Sequence, residues 1–391
     1  MIRLREFIVW KMCLVFTRDT LKINLTQGLM KGKKALEQVR NILVIRNGAL
    51  GDFIVTLPVI NSLKKVFPSA QITLMGNPCF LKLAQHQVNT IVPNDLSGFY
   101  TLFRSEGEFP ENIKRLFSGV DLAVSYTPDP EGTVIKNLEK IGIPWIVDGG
   151  FSPLEKLPAP ITDFLLSPFA REGIPIFFEP PKIVPSFCDK KNAEKFFQSL
   201  CNCGEGNYPV VAIHPGSGSS KKCWPKEKFV TLMRWTKRYL GATILLISGP
   251  ADKDILEGIW PFIKECSPLV AEDLPLTHLA AILERCTVYV GNDSGITHLA
   301  ASVGTPTLAL FGPTDFRIWG PRNEKVKCLS CSYPCAPCAP KQMAECQDQA
   351  CLQSLPVVTV KKALLSLLSR FGSPYLSSKN TTRLKEKEKY V

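Results

Sequence analysis

The stretch Asn41-Ile42-Leu43-Val44-Ile45-Arg46-Asn47-Gly48-Ala49-Leu50-Gly51-Asp52 decides how this chain is read. Ile42 to Ile45 is an unbroken, partly β-branched apolar run, the mark of a buried strand. Gly48 and Gly51 let the backbone turn tightly after it. Phe53 to Phe67 then carries apolar residues at helical spacing and stops before Pro68, and Gln71 to Met75 reads as a second strand. Strand, glycine turn, helix and strand form a βαβ unit, which requires a parallel sheet and a right-handed crossover. Asp121–Ser125 and Trp145–Val147 add later strands to that sheet.

The pattern breaks over residues 151–209, which are rich in proline (Pro153, Pro158, Pro160, Pro168, Pro175, Pro180, Pro181, Pro185). This stretch reads as the interdomain connection, with helix at Lys190–Leu200. A second α/β series follows. Strands are expected at Val210–Ile213, Thr243–Ile247, Thr287–Val290 and Thr307–Phe311. Helices are expected at Lys226–Leu240, Leu256–Glu265, Thr277–Glu284 and Ile296–Val303. Such alternation predicts a doubly wound sheet with ligands outside the carboxyl ends of the strands. Val357–Phe371 reads as a closing helix that crosses back to the first domain. The expected division is a basic extension (1–40), a first α/β domain (41–185), a second (186–356, including a Cys-rich segment at 328–351), the closing helix (357–374) and a basic tail (375–391).

With 391 residues the chain is long enough for two cores, and 45% hydrophobic with 21% charged residues is a globular balance. The net charge of +12 is concentrated at the ends. Residues 1–40 hold nine Lys/Arg against three Asp/Glu, and residues 379–391 hold five against two. The body between them is only mildly basic, which argues against a nucleic-acid groove. The ends read either as solvated tails or as contacts for an anionic membrane surface. No apolar run is long enough to span a bilayer. Lys11 interrupts the early apolar run Phe7–Phe16, Glu6 sits where a signal peptide would be basic, and no clear cleavage site follows, so a cytosolic protein is expected. Met30 precedes the first good strand closely, which leaves residues 1–29 as an extension outside the fold.

Three turns at strand ends carry candidate chemistry. In the first, Asp52 falls beside a helix N-terminus, where it serves either as a helix cap or as a catalytic carboxylate. The dinucleotide fingerprint is incomplete there, so a nicotinamide cofactor is not supported. In the second, His214-Pro215-Gly216-Ser217-Gly218-Ser219-Ser220-Lys221-Lys222-Cys223-Trp224-Pro225 offers exposed amides, hydroxyls and two lysines. It is either a polar surface loop or a phosphate cradle helped by the helix that follows. In the third, Gly291-Asn292-Asp293-Ser294-Gly295-Ile296-Thr297-His298 ends a strand on Asp293 and opens a helix at Gly295. His298 is either a satisfied buried histidine or part of the same mouth.

Taken in order, these segments resemble glycosyltransferase family 9, the heptosyltransferases of lipopolysaccharide core assembly. Gly304-Thr305-Pro306 and Leu310-Phe311-Gly312-Pro313-Thr314 extend the match, which covers roughly residues 40–370. The resemblance implies a GT-B fold, two Rossmann-like domains whose parallel sheets face each other across a cleft. The first domain would hold the acceptor and the second the donor. It further implies inversion at the anomeric carbon without a required metal or other cofactor. Asp52 matches the family's base and Lys222 its diphosphate-binding lysine. Asp293, Ser294, Gly295 and His298 match donor contacts, and Ser219 and Ser220 match donors to phosphate. Asp252, in a looser register, matches a carboxylate for the nucleoside. Gly48, Gly51, Gly216 and Gly218 are the loop glycines. The implied donor is ADP-heptose and the implied acceptor a glycolipid. The protein would be a monomer in the cytoplasm, in peripheral contact with the inner membrane. Another sugar, a protein acceptor, or a non-catalytic protein binding sugar-nucleotides or metal remain the alternatives.

Fourteen cysteines is a high count for such a chain. Eight are scattered, while Cys328, Cys331, Cys335, Cys338, Cys346 and Cys351 crowd together. Cys328-x-x-Cys331 and Cys335-x-x-Cys338 have the spacing of a structural zinc site, although only three residues separate the pairs. A reduced structural loop or disulfides are the competing readings.

Overall fold

The computed structural model describes residues 36–150, 159–198 and 209–371. The basic N-terminal extension and the C-terminal tail expected from the sequence lie outside them, as do Cys13, Cys201 and Cys203. Two all-parallel sheets organise the described chain.

The first sheet comprises β1 (Asn41–Arg46), β2 (Gln71–Gly76), β3 (Thr90–Pro93), β4 (Leu122–Tyr126) and β5 (Trp145–Asp148), in the order β3-β2-β1-β4-β5. Val44 lies opposite Leu74 on one side and Val124 on the other. Strand alternation divides β1 between two cores: Ile42 and Val44 point into one, Leu43 and Ile45 into the other. All four are buried, as expected of a central parallel strand covered on both faces.

The second sheet comprises β6 (Val210–His214), β7 (Thr243–Ser248), β8 (Leu269–Glu272), β9 (Val288–Asn292), β10 (Thr307–Phe311) and β11 (Val326–Ser330). Its order is β11-β10-β9-β6-β7-β8. The winding reverses between β6 and β9, so the turns after these two strands flank the crevice where ligands bind in such sheets. The short edge strands β8 and β11 were not expected from the sequence. They are only partly buried, so their apolar pattern is weak.

The helix after the first turn, α1 (Leu50–Val66), begins three residues before the expected start. Asp52 is therefore inside the first turn, and its side chain reaches back to the amide of Ala49. The proline-rich connection contains a helix the sequence did not announce, α2 (Ile161–Arg171), and then α3 (Phe187–Gln198). In the second half, α4 (Lys226–Trp235) continues as a five-residue π turn to Leu240. Next come α5 (Leu276–Glu284), α6 (Gly295–Ser302) and α7 (Val357–Phe371). The bounds of α7 match the sequence expectation, but its placement does not. Its apolar face, including Val360, Leu364 and Leu368, packs with α4 against the second sheet and does not cross to the first.

One hydrophobic cluster runs through both halves, joining Ile54 and Leu57 of α1 to Leu299 and Ala300 of α6. Each well-buried aliphatic side chain in it contributes roughly 1.5–3 kcal/mol before entropic costs. The α1–α6 contact turns the carboxyl ends of the two sheets toward one cleft.

Candidate functional site: a cleft between two helix N-termini

Gly51 and Gly295 are the contact point of the two halves. A Cβ on Gly295 would lie 2.7 Å from Leu50 Cβ and 3.0 Å from the Gly51 nitrogen. Two helix N-termini, each with unpaired amides and partial positive charge, thus meet at one place.

On the first-sheet side, Asp52 is partly exposed while Arg46, at the end of β1, is buried. Arg46 Nη2 lies 3.3 Å from Asp52 Oδ1, and the Ala49 amide donates to Asp52 Oδ2 at 3.0 Å. Gly48, at φ +132°, makes this possible, because a Cβ there would lie 2.8 Å from the same Oδ2. Arg46 also donates from Nε to the Asp52 carbonyl (3.1 Å) and from Nη1 to the Tyr126 carbonyl (3.2 Å). Burial lowers the Arg46 pKa from its usual value, with Asp52 and Tyr126 pulling the other way.

On the second-sheet side, Lys222 Nζ pairs with Asp293 Oδ2 at 2.9 Å. Thr314 donates to the same oxygen at 2.6 Å, and Ser217 donates to the Asp293 carbonyl at 2.7 Å. Asp293 is thereby fixed, and about a quarter of the Lys222 side chain stays open to the cleft. Ser219 caps the single turn Ser220–Lys222 by accepting from the Lys221 amide. Asn292 ties the two loops together: it accepts from the Trp224 amide (2.9 Å) and donates to the Pro215 carbonyl (2.7 Å). From behind, Lys221 donates to the Cys346 carbonyl, while Trp224 and Lys228 donate to the Leu355 carbonyl. The Cys-rich segment is thus the backing of the lysine loop.

His298 is buried at the bottom of the cleft, and a Cβ on Gly51 would touch its ring at 3.6 Å. Burial pushes its pKa below the usual histidine value. Asp293, Asp52 and the Trp319 carbonyl oppose that shift, and Lys222 adds to it. A neutral imidazole follows.

Two of the expected donor contacts, Asp252 and Ser294, make hydrogen bonds within the protein. Asp252 is buried and turned inward, with Oδ2 2.9 Å from His214 Nε2 and accepting from the Gly249 amide at 2.8 Å. A carboxylate only accepts, so His214 Nε2 carries the proton. Burial pushes the Asp252 pKa up, but His214 and the Gly249 amide outweigh it and hold the group below its usual value. Gly216 leaves the space this requires, since a Cβ there would overlap Asp252 Oδ1 at 1.7 Å. Asp252 thereby supports the loop from beneath. Ser294 is the cap of α6: its Oγ accepts from the Thr297 amide at 3.3 Å and lies 3.4 Å from His214 Nδ1.

The zinc arrangement read from Cys328, Cys331, Cys335 and Cys338 is not formed. Among the described residues, no three His, Cys, Asp or Glu side chains are placed to hold a metal. β11 fixes Cys328 inward, where burial, followed by the charge of Asp293, raises its thiol to about 12. Cys338 is a separate group, raised to about 11 by burial and then by Cys335, Cys351 and Cys346. β11 sets Cys328 near Asp293, whereas Cys331 packs into the core of the second half with Cys351.

Sequence reading missed Arg46, Ser217, Asn292 and Thr314. Arg46 left a signal, a charge closing an otherwise apolar strand; Ser217 and Thr314 are ordinary polar loop residues, and Asn292 is a buried polar residue at the end of β9.

Residues 178–347 match the model of glycosyltransferase family 9 (heptosyltransferase). They are a glycosyltransferase family 9 domain. The lipopolysaccharide heptosyltransferase 3 of Escherichia coli is 25% identical over 300 residues, covering 71% of this chain and 84% of that protein. Among solved structures, the glycosyl transferase family 9 protein of Veillonella parvula superposes with a TM-score of 0.71 at 21% identity, over 85% of this chain and 98% of that one. The E. coli ADP-heptose heptosyltransferase II does so with a TM-score of 0.64 at 18% identity, over 85% and 100%. The fold is GT-B, as the resemblance implied. The family 9 domain contains β6 to β11, the Lys222 loop and the α6 N-terminus, and Asp52 faces it from the other sheet.

Proposed function

We propose that this chain is an inverting heptosyltransferase that moves heptose from ADP-heptose to a lipopolysaccharide core acceptor, with Asp52 as general base and without a metal. The observation that carries this reading is the meeting of Asp52 from one sheet with Lys222, Asp293 and His298 from the other across a single cleft. The acceptor hydroxyl attacks the anomeric carbon as Asp52 takes its proton, and the bond to the diphosphate oxygen breaks. Negative charge develops on the departing nucleoside diphosphate. Lys222 and the first-turn amides of α6 are positioned to stabilise it. Closure along the Gly51–Gly295 contact excludes water. Residues 41–185 carry the acceptor and 186–356 the donor in this reading.

The test is transfer from ADP-heptose to a heptose-acceptor core glycolipid, with the product's anomeric configuration read by NMR. Asp52→Asn is expected to lower turnover by about 100-fold or more while leaving donor binding intact, and EDTA is expected to change nothing. Preference for a UDP- or GDP-sugar would refute ADP-heptose as donor. Near-normal turnover by Asp52→Asn would refute the base.

A further inference from the structure

We infer that Arg46 is the positioning residue of the transfer reaction, holding the Asp52 carboxylate in the one orientation that faces the acceptor. The inference rests on Asp52 being the base. The two carboxylate oxygens are tied from different directions, Oδ1 by Arg46 Nη2 at 3.3 Å and Oδ2 by the Ala49 amide at 3.0 Å. Rotation about the last side-chain bond would break both, so the carboxylate keeps one face toward the cleft. The same guanidinium holds the backbone of the base through the Asp52 carbonyl and spans to β4 through the Tyr126 carbonyl. One planar group thus anchors the catalytic residue at two atoms and fixes it to the neighbouring strand.

The placement is costly on structural grounds. Arg46 continues the apolar run Ile42–Ile45 and is 3% exposed. An aliphatic residue there would fill the strand end without desolvating a charge, and replacing buried ion pairs by well-packed apolar residues is often neutral or stabilising. A buried cation whose donors converge on Asp52 is what precise placement of a base requires.

Arg46→Met removes the cation at similar length, while Arg46→Lys keeps the charge but not the fork. Arg46→Met is expected to lower kcat by about 30-fold or more with donor KM within about twofold, and Arg46→Lys to recover part of that loss. The decisive readout is a double-mutant cycle, with residual rates followed using radiolabelled donor. In an Asp52→Asn background, Arg46→Met is expected to cost almost nothing further, because its effect runs through the carboxylate. Equal losses in both backgrounds would make Arg46 merely structural and overturn the inference, as would unchanged kcat in Arg46→Met. Should Arg46→Met fail to fold, Arg46→Lys decides: unchanged kcat overturns the inference, and a kcat loss at constant KM that vanishes in the Asp52→Asn background supports it. An active Asp52→Asn single variant is a different result, because it removes the base reading itself.

Discussion

Gly51 and Gly295 face each other in the first turns of two helices from opposite sheets, with no side chain between them. The clearance is small enough that a methyl group on Gly295 must displace either Leu50 or the backbone at Gly51.

Gly295→Ala is therefore expected to wedge the halves apart. Overpacking of this kind costs about 1–3 kcal/mol, part of it offset by alanine's better helix propensity. The larger effect falls on turnover, since Asp52 moves away from the donor side. Thermal unfolding and kcat should be measured together. Full activity in a stable Gly295→Ala protein would show that the two helix starts need not touch for transfer.

Lys222 is a partly exposed cation of the donor-side loop, held by Asp293. A hydrogen bond to a charged group is worth about 1.5–3 kcal/mol, so Lys222→Met should weaken nucleotide-sugar binding by about 10- to 150-fold. Calorimetric titration with the nucleoside diphosphate measures this directly. Unchanged affinity would remove Lys222 from the phosphate site.

His298 makes a pH prediction. Its folded-state pKa is below the ordinary 6.5, burial being the leading cause. The unfolded chain therefore takes up the proton first as pH falls. Stability associated with His298 is full above the unfolded value and decreases as pH drops below it, down to the folded value. Urea midpoints at about pH 7.5 and about pH 5.5 should differ less in His298→Gln than in the parent. An identical difference in both proteins would count against a neutral buried His298.

Asp252 separates a brace from a nucleoside ligand. Leaving the buried His214 ring and the Gly249 amide without their acceptor costs about 1–3 kcal/mol, so Asp252→Ala should lower the melting temperature. A normal melting temperature with a raised donor KM would instead support the nucleoside-binding role.

The architecture was legible because its signals are local. Four apolar residues followed by Gly48 and Gly51 specify a strand and a tight turn wherever they sit in space. The closing helix Val357–Phe371 was equally clear from its period. The strands β8 and β11 were not, because edge strands lack the continuous apolar run that central burial imposes.

The site was legible as a list and not as an arrangement. Sequence alone determined that Asp52, Lys222, Asp293 and His298 lie in or just after the turns that follow strands, since turn chemistry and strand patterning are properties of a few neighbouring residues. Tertiary structure alone decided which of them meet. It turned Asp252 inward onto His214, brought Cys328 near Asp293, and set the buried Arg46 against Asp52. Contacts of this kind join residues many positions apart, and they exist only once two sheets have packed through α1 and α6.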